Sequence, residues 1–131
     1  MAGRSSALQG RTVAQVLLVD DNPLQLSTRQ AILRRAHVDV HMATTAQSAL
    51  ALLRAHSDQI RLVITDHVMP ETSGAVFVRM LREITPDLPV IVISGMAEAE
   101  EEYAGMNVTF RNKPIQPEAF IELVRGILGA A

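Results

Sequence analysis

Four apolar runs in this chain each lead into a polar residue of a kind that handles phosphate. Val16-Leu17-Leu18-Val19 runs into Asp20 and Asp21, Leu62-Val63-Ile64-Thr65 into Asp66, Val90-Ile91-Val92-Ile93 into Ser94, and Val108-Thr109-Phe110 leads shortly to Lys113 and Pro114. As parallel strands of one sheet, these runs would bring carboxylates, a hydroxyl and an ammonium to its carboxyl edge, where open α/β sheets bind their ligands. Three clustered carboxylates repel one another, and a divalent cation removes that penalty. Hard oxygen ligands with room for water suit Mg2+, with Mn2+ as the alternative, better than zinc. Lys113 brings a cation on a flexible stem, able to pair with a phosphoryl oxygen or, in its absence, with Asp66. Ser94 can donate one hydrogen bond, and Gly95 has no Cβ to keep a backbone N–H from the same oxygen. A carboxylate nucleophile, a metal, a lysine and neutral donors are nearly all that phosphoryl transfer needs, because its catalysis is mostly positioning and charge neutralisation.

The elements that must position these groups follow from apolar runs alternating with helical patterns, the mark of βαβ units. A first strand near 15–19 is followed by Asn22 as a helix cap and Pro23 at the first helical position, with the helix running to about Arg35. A second strand is expected over Val38 to Met42, placing His37 and His41 on one face as a solvated pair rather than metal ligands. Thr44-Thr45-Ala46-Gln47 has capping-box spacing and opens a helix through Leu53. After the third strand, Pro70 to Gly74 form a loop and Ala75 to Ile84 a helix, whose Val76, Phe77, Met80 and Leu81 are expected to pack on the sheet. A fourth strand, a short acidic helix near 97–103, a fifth strand near 108–111 and a last helix opened by Pro117 complete five βα units. Right-handed crossovers favour a doubly wound parallel sheet in the order 2-1-3-4-5 with five helices, which joins Asp20, Asp21 and Asp66 in one crevice.

Composition narrows the function classes. With 131 residues the chain has room for one ordinary domain, expected over 14–131 behind a loose arm at 1–13. A net charge of -2 gives no reason to expect nucleic acid or an anionic membrane as partner. The absence of cysteine excludes disulfides, thiolate catalysis and zinc-thiolate sites. No apolar stretch approaches the roughly 18 residues of a membrane span, and Arg4-Ser5-Ser6 does not open a signal peptide, so the expected location is the cytoplasm.

In this order and at these strand ends, Leu-Leu-Val-Asp-Asp-Asn at 17–22, Ile-Thr-Asp-His-Val-Met-Pro at 64–70 with Gly74, Ile-Ser-Gly at 93–95 and Lys-Pro-Ile at 113–115 resemble a response-regulator receiver domain of two-component signalling. The resemblance runs from about Gln15 to Leu128 and implies the flavodoxin-like fold of the chemotaxis regulators. It further implies Asp66 as the phosphorylated residue, Asp21 as a direct metal ligand, Asp20 as a ligand directly or through water, and the Val68 carbonyl as a further one. Ser94 matches the switch hydroxyl, Lys113 the phosphate-pairing lysine, Phe110 the switch aromatic, and Lys113-Pro114 a cis bond. The implied partner is a histidine kinase or histidine phosphotransfer protein. The chain would then catalyse only its own phosphorylation and dephosphorylation, either as a stand-alone regulator or as a piece of a hybrid kinase.

The segment between Ser94 and Lys113 is shorter than in the best-known single-domain members, and its acidic helix belongs to the family's usual output surface. Glu98, Glu100, Glu101 and Glu102 read as a solvated face, Met69 and Met80 as core filler, and His67 carries no assigned chemistry. Three rivals are an unphosphorylated interaction scaffold of the same fold, an FMN-binding flavodoxin-like module and a dehalogenase-type phosphatase. The second lacks a hydroxyl- and glycine-rich loop after the first strand and has a single Tyr and no Trp to sandwich a flavin. A dehalogenase-type phosphatase would need an Asp-x-Asp turn that Asp20-Asp21-Asn22 does not provide.

Overall fold

In the computed structural model, which describes residues 14–129, five parallel strands alternate with helices. The expected arm at 1–13 lies outside the described residues. In chain order the elements are β1 (Val16–Val19), α1 (Pro23–Arg35), β2 (Val40–Ala43), α2 (Ala46–Ala55), β3 (Leu62–Asp66), α3 (Gly74–Ile84), β4 (Val90–Ser94), a 3-10 helix (Ala97–Tyr103), β5 (Thr109–Asn112) and α4 (Pro117–Gly129). The sheet runs β2-β1-β3-β4-β5, the doubly wound order expected, with five helices of which the fourth is 3-10. β1 registers Val19 against Thr65 of β3, and β3 registers Asp66 against Ile93 of β4, so the strand ends that carry the acidic and hydroxyl groups are neighbours.

Side chains alternate across a strand, so each strand feeds two cores. Leu17, Val19, Val63, Val90 and Val92 pack with residues of α2, α3 and the 3-10 helix on one face. Val16, Leu18, Leu62, Ile64, Ile91 and Ile93 pack with Leu26 and Leu33 of α1 and Phe120 and Val124 of α4 on the other. Both faces of β1, β3 and β4 are buried, which is why those strands read as unbroken apolar runs.

Helix entries are set by side-chain caps. Asn22 Oδ1 accepts the N–H groups of Leu24 and Gln25 at 2.9 and 3.2 Å, as its place before Pro23 predicts. At α2 the capping box sits one residue later than expected. Thr45, not Thr44, is the cap, it exchanges bonds with Ser48, and the helix continues to Ala55. Ser73 caps α3 by accepting from Val76 N at 3.2 Å.

Two expectations from helix and strand phase are overturned. Val76 and Met80 are 41% and 39% exposed, while Gly74, Ala75, Phe77, Val78 and Leu81 are buried. Val76 and Met80 form an apolar row of their own, about 100° round the helix from Phe77 and Leu81. Met80 is therefore not core, whereas Met69 is. His37 is not in β2: it has φ 63°, its N–H bonds Arg34 O, and Val38 N bonds Leu33 O, which is a Schellman ending of α1 with histidine in the left-handed position glycine usually takes. β2 consequently starts at Val40, and His41 stacks on His56 at the end of α2, with ring centroids 4.3 Å apart, instead of pairing with His37.

The short fourth crossover is held by Arg82 of α3. Its guanidinium donates to the carbonyls of Leu88 at 2.6 Å, Met106 at 2.8 Å, Asn107 at 3.0 Å and Thr85 at 3.2 Å. Gly105 and Asn107 turn the chain through positive φ of 80° and 58° before β5.

Candidate functional site

The crevice at the carboxyl edge of β1, β3, β4 and β5 gathers most of the predicted residues. Asp20 and Asp66 are buried, Asp21 is exposed, and each offers an oxygen within 4.8 Å of the others, a spacing a single cation can bridge. Lys113 Nζ lies 2.7 Å from Asp66 Oδ1 and 3.1 Å from Gln25 Oε1, so the ammonium spans from β3 to α1. It is anchored from behind, where its backbone N–H donates to Ser94 O at 2.8 Å, and the Lys113-Pro114 bond that follows is cis, as expected.

Asp20 is tied on both oxygens. Oδ1 accepts the Asn22 N–H at 3.0 Å, and Oδ2 pairs with Arg29 at 3.1 Å. Its carboxyl pKa is raised nonetheless: burial outweighs the Asn22 N–H, and the nearby Asp66 charge adds to the rise against Arg29 and Lys113. The shift is thus chiefly the cost of burying a carboxylate, with like-charge repulsion from Asp66 a smaller part.

The remaining predicted residues fall around this centre with different degrees of engagement. Ser94 is buried, and its hydroxyl both accepts from Met96 N at 2.9 Å and donates to Met96 O at 3.3 Å, so in this state it closes its own turn. Gly95 is exposed, and a Cβ there would meet nothing within 4 Å; packing does not demand this glycine. Val68 lies in the loop after β3 with its side chain exposed. Phe110 packs on the first core and lies 5.9 Å from the Tyr103 ring.

Arg29 and Gln25, which sequence reasoning left unassigned, also meet the cluster, and His67 follows Asp66 in the chain. Arg29 and Gln25 stand one turn apart on α1, and the polar spacing of 25 and 29 on a helix that starts beside Asp20 was the available signal. His67, to which the sequence assigns no chemistry, is buried on the side of the fourth crossover, with Nδ1 2.6 Å from Tyr103 Oη and Nε2 3.5 Å from the Glu102 carboxylate. Burial pushes the Tyr103 phenol pKa up, with Glu102 and Asp66 adding to it, so this hydroxyl stays protonated and able to donate. Glu102 is accordingly not purely a solvated residue, unlike its neighbours Glu98, Glu100 and Glu101.

Beside the crevice, a cleft of about 360 Å3 is lined by apolar Leu24, Ile32, Pro114, Ile115 and Phe120 and shares Gln25, Arg29 and Lys113 with the crevice. Leu24 in its lining is 74% exposed.

The model of the response regulator receiver domain matches residues 16–125. The chain belongs to the receiver-domain family of response regulators. It is 36% identical over 92 residues to the two-component response regulator ORR22 of Oryza sativa, covering 70% of this chain and 13% of that protein. It is 28% identical over 114 residues to the hydrogenase transcriptional regulatory protein HoxA of Bradyrhizobium diazoefficiens, covering 84% of this chain and 23% of that protein. The chain therefore spans less than a quarter of the length of these curated relatives. In fold it resembles a CheY-like receiver domain protein from Methanospirillum hungatei, with a TM-score of 0.82 at 22% identity over 91% of this chain and 96% of that one.

Proposed function

We propose that this receiver accepts a phosphoryl group from a partner's phosphohistidine onto Asp66 and that occupancy of the site changes the surface formed by the fourth crossover. The observation that carries the reading is the 2.7 Å pair of Lys113 with Asp66 inside a cluster of three carboxylates. One carboxylate is held by a lysine ammonium while its neighbours offer oxygens to a metal, which is the arrangement a phosphoryl acceptor needs and a plain scaffold does not.

In the transfer, an Asp66 oxygen bonds to phosphorus as the phosphorus–nitrogen bond breaks, and the electron pair leaves with the imidazole. Lys113 exchanges Asp66 Oδ1 for a phosphoryl oxygen, keeping its reach from β5. Ser94 releases Met96 and donates to the same group, and the Gly95 N–H, unhindered by a side chain, adds a second donor. The donor set fits a divalent ion: three carboxylates offer hard oxygens within 4.8 Å of one another. Mg2+, or Mn2+, bound by Asp20, Asp21, Asp66 and the Val68 carbonyl would supply the charge neutralisation that lets a phosphoryl group approach.

The donor protein, a histidine kinase or histidine phosphotransfer protein, must bring an imidazole to the rim of the crevice. The cleft with Leu24 and Ile115 on its wall offers apolar contact within reach of Lys113. We take 14–131 as the receiver unit, working in the cytoplasm and turning over no external substrate. Phosphoramidate, whose phosphorus–nitrogen bond stands in for phosphohistidine, tests the reading. With Mg2+ it should add one phosphoryl mass to the wild type and none to Asp66→Asn; equal labelling of both proteins, or no labelling of either, would overturn it.

A further inference from the structure

The two buried carboxylates of the cluster each have a cation of their own. Lys113 serves Asp66, and Arg29 serves Asp20, with Nη1 3.1 Å from Oδ2. The two arrangements differ in freedom. Lys113 is 31% exposed on a flexible stem, whereas the Arg29 side chain is only 11% exposed and its second Nη lies 3.4 Å from Gln25 Oε1. Gln25 Oε1 also accepts from Lys113, so one amide oxygen steers both cations. The other Asp20 oxygen is already bonded to Asn22 N–H, which leaves Oδ2, the oxygen Arg29 holds, as the one with less fixed commitments to the backbone.

We propose that Arg29 is the resident counter-cation of Asp20 and competes with the divalent ion for Oδ2, so that it sets the ion's affinity and keeps the acidic cluster folded while the ion is away. The inference rests on the cluster holding a divalent ion, as argued above. A buried carboxylate stripped of its partner is strongly destabilising, so the metal-free protein needs this charge. The same charge stands a few ångströms from where a second cation must sit, and like charges at that distance repel whether or not the guanidinium swings aside. Arg29 is thus a positioning residue whose effect reaches the chemistry only through Asp20.

The test is calorimetric titration of Mg2+ into the full chain. Arg29→Gln should melt at a lower temperature without metal yet bind Mg2+ about tenfold more tightly, the order expected when one competing charge leaves a half-screened site. Arg29→Lys, which keeps a charge, should stay within about twofold of the wild type. A role confined to folding would lower the melting temperature and leave the affinity unmoved. In the wild type, independently of any variant, the Arg29 Nε–H resonance should shift along the Mg2+ titration with the midpoint of binding. An unchanged or weaker affinity in Arg29→Gln, or an Arg29 resonance that stays fixed while Mg2+ binds, overturns the proposal alone. Failure of the wild type to bind Mg2+ at all overturns both this proposal and the metal part of the function it rests on.

Discussion

Tyr103 Oη lies 2.6 Å from His67 Nδ1, which ties a side chain of the fourth crossover to the residue immediately after Asp66. The hydroxyl reaches this position because residue 74 is glycine: a Cβ there would meet Tyr103 Oη at 2.5 Å, Asp66 O at 2.8 Å and His67 Cα at 2.9 Å. The Tyr103 ring lies 5.6 Å from His67 and 5.9 Å from Phe110, so three rings connect the end of β3 to β5. A 3-10 helix this short has little packing surface, and its last residue is its anchor.

Breaking that anchor should be measurable as stability. Tyr103→Phe removes the hydroxyl and leaves a buried imidazole nitrogen without its partner, at a cost of about 1–3 kcal/mol. Gly74→Ala drives a methyl group against two backbone atoms that cannot rotate away, which costs roughly 1–3 kcal/mol. Urea unfolding of both variants checks this; wild-type stability in either would mean that the crossover is held by other contacts.

Asp20 gives the metal-free protein a pH dependence whose sign follows from its raised pKa. The folded carboxyl holds its proton more strongly than the unfolded one, so this group's contribution is most favourable below the ordinary value of 3.8 and is lost as pH rises through the folded pKa. Relative to Asp20→Asn, which cannot titrate, the wild type should gain stability as pH falls from neutrality toward that value. Melting curves of the two proteins across this range, without metal, would show the difference in melting temperature moving in favour of the wild type.

Mg2+ should raise the melting temperature of the wild type by mass action if, as proposed, the folded cluster is its site and the unfolded chain offers none. Asp21 is the exposed member of the cluster, so Asp21→Ala should lose that gain while remaining folded. Removing one repelling charge should also leave the metal-free variant at least as stable as the wild type. Identical Mg2+ responses in the two proteins would contradict the assignment of Asp21.

Ser94 and Phe110 should exchange one packed arrangement for another when the site fills. In the present state the Ser94 hydroxyl is spent on Met96 and Phe110 is half-buried against Tyr103. A stable phosphoryl mimic such as beryllofluoride should therefore shift the amide resonances of residues 95–108 and Phe110, as expected for a two-state element. Shifts confined to the neighbourhood of Asp66 would leave the crossover out of the switch.

The parts of this molecule legible in its sequence are those set by local chemistry. Apolar runs buried on both faces marked β1, β3 and β4, and Asn22 before Pro23 marked the start of α1, because strand burial and capping leave residue-level signatures. The meeting of Asp20, Asp21, Asp66 and Lys113 followed once the strand order was taken as doubly wound. What stayed hidden depends on tertiary placement. His37 adopts a left-handed conformation without glycine's signature, so nothing in the sequence marks where α1 ends and β2 begins. Val76 and Met80 share the four-residue spacing of the true core row, and periodicity alone does not say which row faces the sheet. Arg29, His67 and Tyr103 gain their roles from partners 9 and 36 residues away, a distance no local pattern reports.

The central claim is that the Asp66 carboxylate takes the phosphoryl group. An acyl phosphate is reduced by borohydride to an alcohol, which converts a phosphorylated aspartate to homoserine and leaves free carboxylates untouched. The candidates separate cleanly on trypsin digestion, because Arg61 and Arg79 bracket the peptide that holds Asp66 while Arg11 and Arg29 bracket the one that holds Asp20 and Asp21. After phosphoramidate, Mg2+ and borohydride, fragmentation of the first peptide should place homoserine at position 66. Homoserine at position 20 or 21 instead, or phosphate recovered on a serine or histidine, would contradict the account.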